Sequence, residues 1–569
     1  MVSLQHLDLS STQLEGSIPE TFGNNMTSLS YLDLSFSYLT GPIPNSLGNM
    51  SLLAHLNLRY NGFTGSIPES FANLETLTYL DLSGNMLNGS IQIIFENMTG
   101  TLTFLALGYS GLEGHIPKSF GEKMSVLAVL DLSYNRLRGS IPESFGNMVK
   151  LTYLSLEQNL LEGHIPEALG NMSILEHLDL TDNTLEGTNS RTSIVYVTLR
   201  FEQVWGNFPT FQASLGSNTL HLGNNNFTGG LPSSWKNCSS LVAFDVAENN
   251  LRGTIPSWIG ESLTELAILV LRSNHFNGSI PLNICHLQSL QLLDLSVNHI
   301  SGSLPMCIGN FTEMSKVGGM HATISYSISI PVPVTSATIF IKRDDKIEFV
   351  WKGILSEFGR TLGLVKSIDL SCNMLNGDIP SKITLLVGLV SLNLSRNNLS
   401  GHIPARIGNM RSLDFLDLSN NHLLGRIPQG LSLIDGMGVL NLSNNNLFGK
   451  IPTSSTSKLQ SFDASAYMGN PGLCGDPLSN KCPGEELTTP PRFIEEAGNG
   501  EDTDKFISHG FYASMGIGYA VGFWGVLGTL IFNKSWRFSY LNFLNDFANW
   551  IHVFAAVRKA KFLRTLRGL

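Results

Sequence analysis

Along most of the chain, apolar and polar positions alternate in short bursts that recur at a nearly fixed distance. The stretch Ala128 to Leu151 shows the unit: Leu130 and Leu132 fall on one face of a short strand at period two, with Asp131 and Ser133 on the other. The first strand leucines stand at Leu7, Leu32, Leu56, Leu80, Leu105, Leu130, Leu154 and Leu178, in steps of 24 or 25 residues. They resume at Leu220, Phe244, Leu269 and Leu293, and again at Ile368, Leu392, Leu416 and Leu440. One short strand cannot bury its apolar face alone, whereas a stack of them can, each pairing with its neighbours. The pattern predicts a one-dimensional pile of coils from Met1 to about Pro452, so chain length does not translate into domain count.

Two further positions recur with the leucines. Asn61, Asn85, Asn135, Asn249, Asn274, Asn298, Asn397 and Asn421 sit at the turn after each strand, where an inward amide can satisfy backbone groups that the bend leaves unpaired. After them comes a GxIP corner, as in Gly65–Pro68 and Gly401–Pro404, where Gly permits an unusual backbone angle and Pro fixes the next one. This form resembles plant-type extracellular leucine-rich repeats. The expected fold is an α/β solenoid: a leucine-rich-repeat superhelix with short parallel strands on its concave face, plus one C-terminal transmembrane helix.

The breaks in the pattern divide the chain. Repeats occupy 1–310, with an irregular region at 188–217 where a repeat is lost or out of phase and Val195–Arg200 could survive as a strand. Residues 311–361 carry no repeat signature but contain β-rich runs; an island of this length inside a solenoid is functional or disordered. The last four repeats occupy 362–452, a cysteine cap 453–483 and an acidic linker 484–510. Residues 511–532 hold no charge over 22 positions, about 33 Å as a helix, which suffices to span a bilayer. Ser514, Gly518 and Gly522 give that helix a small-residue face on which another helix could pack, although Gly is common in membrane helices generally. A short tail, 533–569, has Lys and Arg against a single acid, Asp546; it reads as cytoplasmic, with the repeats outside. Met1 aligns with the Met of the GNM tripeptides at Met50, Met148 and Met172. The chain thus opens inside a repeat, as expected of an N-terminally truncated form or a decayed gene product.

Composition narrows the chemistry. A net charge of −10 with 14% charged residues argues against a nucleic-acid partner, which needs clustered Lys and Arg. Cys474 and Cys482 bracket a Gly/Pro-rich stretch beyond the last repeat and are a candidate disulfide; Cys285 and Cys307, about one coil apart, are a second, while Cys238 and Cys372 have no evident partner. Twelve sequons precede the apolar segment, at Asn25, Asn49, Asn88, Asn97, Asn171, Asn226, Asn237, Asn277, Asn310, Asn393, Asn398 and Asn441. An Asn- and Ser-rich repeat generates several by composition, yet with the cysteine cap they favour a secreted face.

No nucleotide loop, zinc-ligand spacing or kinase signature is present, no cofactor is implied, and the tail is too short for a catalytic domain, so the chain reads as a non-enzyme. The strand aspartates Asp8, Asp33, Asp81 and Asp131 read as a solvated face. Two aromatic columns run along the outward side. One is His6, Tyr31, His55, Tyr79, Phe104, Val129, Tyr153 and His177; the other is Phe36, Tyr60, Tyr109 and Tyr134. Exposed, they would anchor a protein or peptide ligand; the alternative is cross-strand stacking that only stabilises the sheet.

The order of parts completes a resemblance. LxGxIP repeats, an island with VWKG (Val350–Gly353), four more repeats, the cap YMGNPGLCGDPL (Tyr467–Leu478), an acidic linker, GFWGV (Gly522–Val526), SWR (Ser535–Arg537) and a short basic tail resemble the plant leucine-rich-repeat receptor-like proteins, most closely the receptors for fungal ethylene-inducing xylanase. The resemblance implies a kinase-less plasma-membrane receptor, single-pass with its repeats extracellular. It would bind an extracellular, microbial protein or peptide and signal in plant defence through adaptor and co-receptor receptor kinases. Carried over, co-receptor contacts fall on Lys342, Trp351, Lys352, Ser391, Asn393, Asp417 and Asn441. A developmental peptide co-receptor of the same architecture, a secreted inhibitor built of the same repeats, and a non-functional remnant are the alternatives.

Overall fold

The structure, a computed structural model, describes residues 4–482 apart from 99, 167, 170–171, 173, 188–217, 318–324, 332–337, 345–346, 352–353, 359–364 and 454–457. These residues fall in one compact unit, Met1–Glu485. Sixteen short strands pair in parallel and in strict chain order, from His6–Asp8 to Val439–Asn441. The register follows the sequence period: Leu7 lies opposite Leu32, Leu32 opposite Leu56, Leu56 opposite Leu80, and so on through Leu416 opposite Leu440. The inward leucines of every coil join a continuous core, filled from the far side by Phe63, Phe71, Phe120, Phe145 and Phe276. Across both breaks the sheet closes up. Leu178 pairs directly with Leu220, and Leu293 with Ile368.

The asparagine ladder connects each coil to the one before it. Asn135 donates from Nδ2 to the carbonyls of Leu107, Leu132 and Ser133, at 2.9, 3.1 and 3.0 Å, while its Oδ1 accepts from the N–H of Leu112 at 3.1 Å. One side chain thus satisfies four backbone groups in two coils. The ladder passes the island unbroken, since Asn373 donates to Leu295 and accepts from Ile300.

Beyond the ladder lies a second row of parallel strands, not anticipated from the leucine pattern: ten in one sheet, from Glu113–His115 to Asn398–Ser400, four in another and three in a third. These strands carry the LxG glycines, whose φ is positive, as at Gly65 (79°), Gly139 (77°) and Gly377 (72°). A Cβ at Gly139 would come within 2.5 Å of the His115 ring, so the second row demands Gly there on two counts. Each corner proline then starts a short 3-10 helix, for example Pro44 before Asn45–Asn49 and Pro142 before Glu143–Asn147. Among the described residues four coils have short α-helices in that place: Phe22–Asn25, Ile91–Asn97, Phe120–Lys123 and Trp258–Ser262.

Within the island the backbone forms two antiparallel hairpins, Ser325–Pro331 with Thr338–Asp344 and Ile347–Trp351 with Ile354–Phe358. Buried Lys366, where the solenoid resumes, donates from Nζ to the carbonyls of Glu313 and Lys316 at 2.8 and 2.9 Å and pairs with the Glu313 carboxylate at 3.4 Å. Cys285–Cys307 and Cys474–Cys482 are disulfides. Of the other two cysteines, Cys238 is buried and Cys372 half-buried. Among the described residues no helix is long and apolar enough to cross a membrane. The segment 511–532, with Ser514, Gly518 and Gly522, lies outside them.

Candidate ligand-binding face

The outward side of the sixteen-strand sheet carries the candidate residues, and the structure separates the two aromatic columns. In the first, His6, Tyr31, His55, Tyr79 and Phe104 stack ring on ring, with centroids 4.0, 4.2, 4.0 and 4.3 Å apart. Tyr153 stacks on His177 at 4.5 Å. Stacking at strand spacing covers both faces of each ring, so Tyr79, Tyr153 and His177 are buried and Phe104 is only 1% exposed. The expectation of exposed anchors is therefore corrected for these four: they stabilise the sheet by cross-strand pairing and offer little to a ligand. Tyr31, nearer the end of the stack, is half-buried. Burial, then Asp33 and Asp8, push its phenol up to about 12. His55 is 4% exposed and neither ring nitrogen has a hydrogen-bond partner. Burial, reinforced by His6 and opposed by Asp8, pushes its imidazole down to about 3.

The second column is open to solvent. Phe36, Tyr60 and Tyr109 are 51%, 43% and 42% exposed, and Tyr134 is half-buried. These side chains stand on residues in left-handed conformation, with φ of 51°, 51°, 52° and 53°. The same position, directly before the ladder residue, has positive φ in each coil described: Gln158, Asp182, Asn224, Glu248, Ser273, Val297, Cys372, Arg396, Asn420 and Asn444 continue the row. The turn needs that angle so that the residue's N–H can reach the next coil, as Tyr60 N–H does to the Ser83 carbonyl at 2.8 Å. The left-handed angle lifts the side chain off the sheet. Tyr109 and Tyr134 stack at 3.8 Å, and Tyr134 donates its hydroxyl to Glu157 at 2.8 Å. Gly84 takes the row position between Tyr60 and Tyr109, and a Cβ there would come 2.4 Å from the Tyr60 ring. The signal that could have found this row is simply the residue preceding each ladder Asn.

The strand aspartates also need correcting. Asp8 is exposed, but Asp33, Asp81 and Asp131 are buried, not solvated. Each accepts from the N–H and hydroxyl of the serine two residues on, Ser35, Ser83 and Ser133. They are structural acceptors rather than acid/base pairs. Towards the island the column turns strongly buried. Burial raises Asp245 to about 6 against the opposing pull of His221, the Ala247 N–H and Arg272. Burial likewise raises both Asp294 and its cross-strand neighbour Asp369.

Among the proposed co-receptor contacts, Ser391 is buried in its strand and presents no surface, a correction to its outward reading. Asn393 and Asn441 are half-buried and donate to Asp369 and Asp417 at 3.0 and 3.3 Å. Lys342 and Trp351 lie on island strands, and Lys352 falls outside the described residues. Among sequons, Asn25, Asn49, Asn88, Asn226, Asn277, Asn310 and Asn398 are exposed. Asn97 and Asn237 end short helices, and Asn171 lies outside the described residues. Among the described residues no three His, Cys, Asp or Glu are grouped to hold a metal ion.

Coils of this geometry, tied by an asparagine ladder, define a leucine-rich-repeat protein. Residues 2–63, 27–87 and 101–161 match the family described as Leucine rich repeat, and 218–238, 289–311, 388–410 and 412–433 a second description of the same repeat. The chain is homologous to the plant leucine-rich-repeat receptor-like proteins. It is 51% identical over 340 residues to receptor-like protein EIX2 of Solanum lycopersicum, covering 59% of this chain and 32% of the relative. To EIX1 of the same plant it is 49% identical over 339 residues, with the same coverage. It thus spans about a third of the length of these curated relatives. Among solved structures, a TDR receptor superposes with a TM-score of 0.55 at 31% identity, over 83% of this chain and 77% of that one. The ectodomain of the Arabidopsis receptor kinase HAESA, in complex with an extended IDA peptide hormone ligand, gives 0.53 at 29% identity, over 84% and 83%.

Proposed function

We propose that this chain is a kinase-less cell-surface receptor of plants, which binds an extracellular microbial protein or peptide and signals in defence through partner receptor kinases. The observation that carries the reading is the exposed aromatic row, Phe36, Tyr60, Tyr109 and Tyr134, raised from a rigid sheet in a chain homologous to receptor-like proteins. Rigid aromatic side chains supply large contact area at small entropic cost, which suits protein recognition. The island hairpins and the outward residues Asn393, Asp417 and Asn441 of the last repeats are the proposed co-receptor side, and the uncharged segment 511–532 the membrane anchor in a type I orientation. The chain itself does no catalysis in this reading, and its cytoplasmic output belongs to the adaptor kinase. A developmental co-receptor for an endogenous peptide is the second reading, favoured by the likeness to the HAESA ectodomain, which was solved with a peptide hormone. The test is expression of the full chain in leaf cells, followed by protease shaving and challenge with separate panels of microbial proteins and plant peptides. A response to the microbial panel, lost when Tyr60 and Tyr109 are changed to Ser, supports the defence reading. A response to plant peptides alone supports the second, and a shaving-resistant repeat array overturns both.

A further inference from the structure

The solenoid contains its own control for what an arginine on this face requires. Arg59 and Arg272 occupy the same repeat position, three residues after the first strand leucines Leu56 and Leu269. Arg272 finds carboxylates within the solenoid, although its Nε, like that of Arg59, makes no hydrogen bond. It pairs with Glu248 of the preceding coil at 2.7 Å and with Asp294 of the following coil at 3.6 Å, and Glu248 occupies the left-handed position of its coil (φ 53°). At Arg59 the corresponding left-handed residue of the preceding coil is Phe36, which brings a ring where Glu248 brings a carboxylate. The corresponding aspartate of the following coil, Asp81, is buried and accepts from Ser83. Among the described residues the Arg59 guanidinium makes no ion pair, and its Nε is buried without a hydrogen-bond partner. It is held instead by two rings, with Cζ 5.5 Å from the centre of Phe36 and 4.7 Å from that of Tyr60. Cation–π contact fixes the plane of the group but leaves its N–H fork without an acceptor. A half-buried, oriented and unpaired guanidinium flanked by exposed aromatics is suited to a planar anion arriving from outside, and a carboxylate matches the fork with two parallel hydrogen bonds.

We propose that Arg59, clamped by Phe36 and Tyr60, is a recognition point for a carboxylate of a peptide ligand, with the two rings gripping the apolar residues beside it. This rests on the reading that the face binds a protein or peptide. In a chain of net charge −10, an arginine on this face without a carboxylate beside it would act as a local selector, not as part of a general basic patch.

The test is an array of random dodecapeptides, made in free-acid and C-terminally amidated sets and probed with the full chain in detergent. Peptides bound by the wild type should be enriched in carboxylates, and Arg59→Gln should weaken them by about tenfold, the size expected for one charge-assisted pair. Phe36→Glu should do the same without touching Arg59, by supplying the internal partner that Glu248 supplies to Arg272. Phe36 is exposed, and Glu248 shows that the backbone angle accepts Glu, so the variant should fold. Loss on amidation would assign the C-terminal carboxylate; loss on Asp or Glu to amide exchange would assign a side chain. Equal binding of the same peptides by wild type, Arg59→Gln and Phe36→Glu would overturn the carboxylate site while leaving the receptor reading standing. Failure of the wild type to bind any peptide would overturn both.

Discussion

At the scale of single residues, stability in this solenoid depends on which polar groups the turn leaves unpaired. The ladder position of the Leu105 coil holds Ser110 instead of Asn, and its buried Oγ finds no partner. A serine is too short to bridge the coils as Asn135 does. Ser110→Asn should restore the bridge to Leu82 O and Leu87 N and raise stability by about 1–2 kcal/mol, measured by urea unfolding. The converse change, Asn135→Ala, orphans four backbone groups and should cost roughly 2–4 kcal/mol. His55 sets a pH dependence of definite sign. Its folded value, about 3, lies below the unfolded value of 6.5, so the unfolded chain takes up a proton that the fold refuses. Stability should therefore fall as pH drops from about 6.5 towards 3. His55→Phe, which keeps the stack between Tyr31 and Tyr79, should remove that slope and be the more stable form at pH 5 by up to about 2 kcal/mol. Asp245 acts in the opposite sense: its raised value, about 6, contributes stability below its unfolded 3.8 that is lost as pH rises through 6. Thermal unfolding of His55→Phe and Asp245→Asn between pH 3 and 8 separates the two, and a flat wild-type profile unaltered by either change would refute both assignments.

At the scale of elements, what could be read from the sequence was whatever the coil repeats strictly. The strand leucines and the ladder asparagines are periodic, and each fell where its period put it, even across the 188–217 break and the island. The second row of strands was hidden because its residues show no apolar alternation: Arg136–Gly139 and His275–Ser279 carry one inward residue each among polar ones. The aromatic columns were legible as columns, but not their exposure. Whether a ring is covered depends on the ring in the next coil and on the sign of φ, and neither is visible in one unit. The island's attachment shows the same limit. Lys366 is an ordinary lysine in the sequence, yet it closes the junction by binding Glu313 and two carbonyls. Removing one member of a buried pair strands the other. Lys366→Met should cost about 3 kcal/mol and loosen the junction locally. The expected result is faster hydrogen exchange at 311–316 and 365–369 with the coils before Asn298 unchanged. Uniform acceleration over the whole array would count against a local anchor.

At the scale of the whole molecule, the sequons turn the coil geometry into a map of which sides a ligand could reach. Asn25, Asn49, Asn97 and Asn237 sit seven or eight residues before the first strand apolar residue of a coil, on the helical side. Asn88, Asn226, Asn277 and Asn398 sit six or eight residues after one, at the second strand row. Only Asn393 and Asn441 fall on the strands of the main sheet, and their amides are already committed. Each donates to the aspartate of the preceding coil, while its Oδ1 accepts from the N–H and hydroxyl of Ser395 or Ser443. A glycan on either Nδ2 would have to break the bond to a part-buried carboxylate and insert a sugar between strands of the sheet. If the chain is secreted as proposed, the aromatic face stays bare while the other two sides are decorated. Glycopeptide mass spectrometry of the protein purified from plant membranes should find Asn49, Asn226, Asn277 and Asn398 occupied, and Asn393 and Asn441 unmodified. The distinction survives a change in overall occupancy, because exposed and engaged sequons are compared within one molecule. High occupancy at Asn393 would mean that this part of the sheet opens in the secretory pathway before the coils close, and the bare-face argument would fail with it.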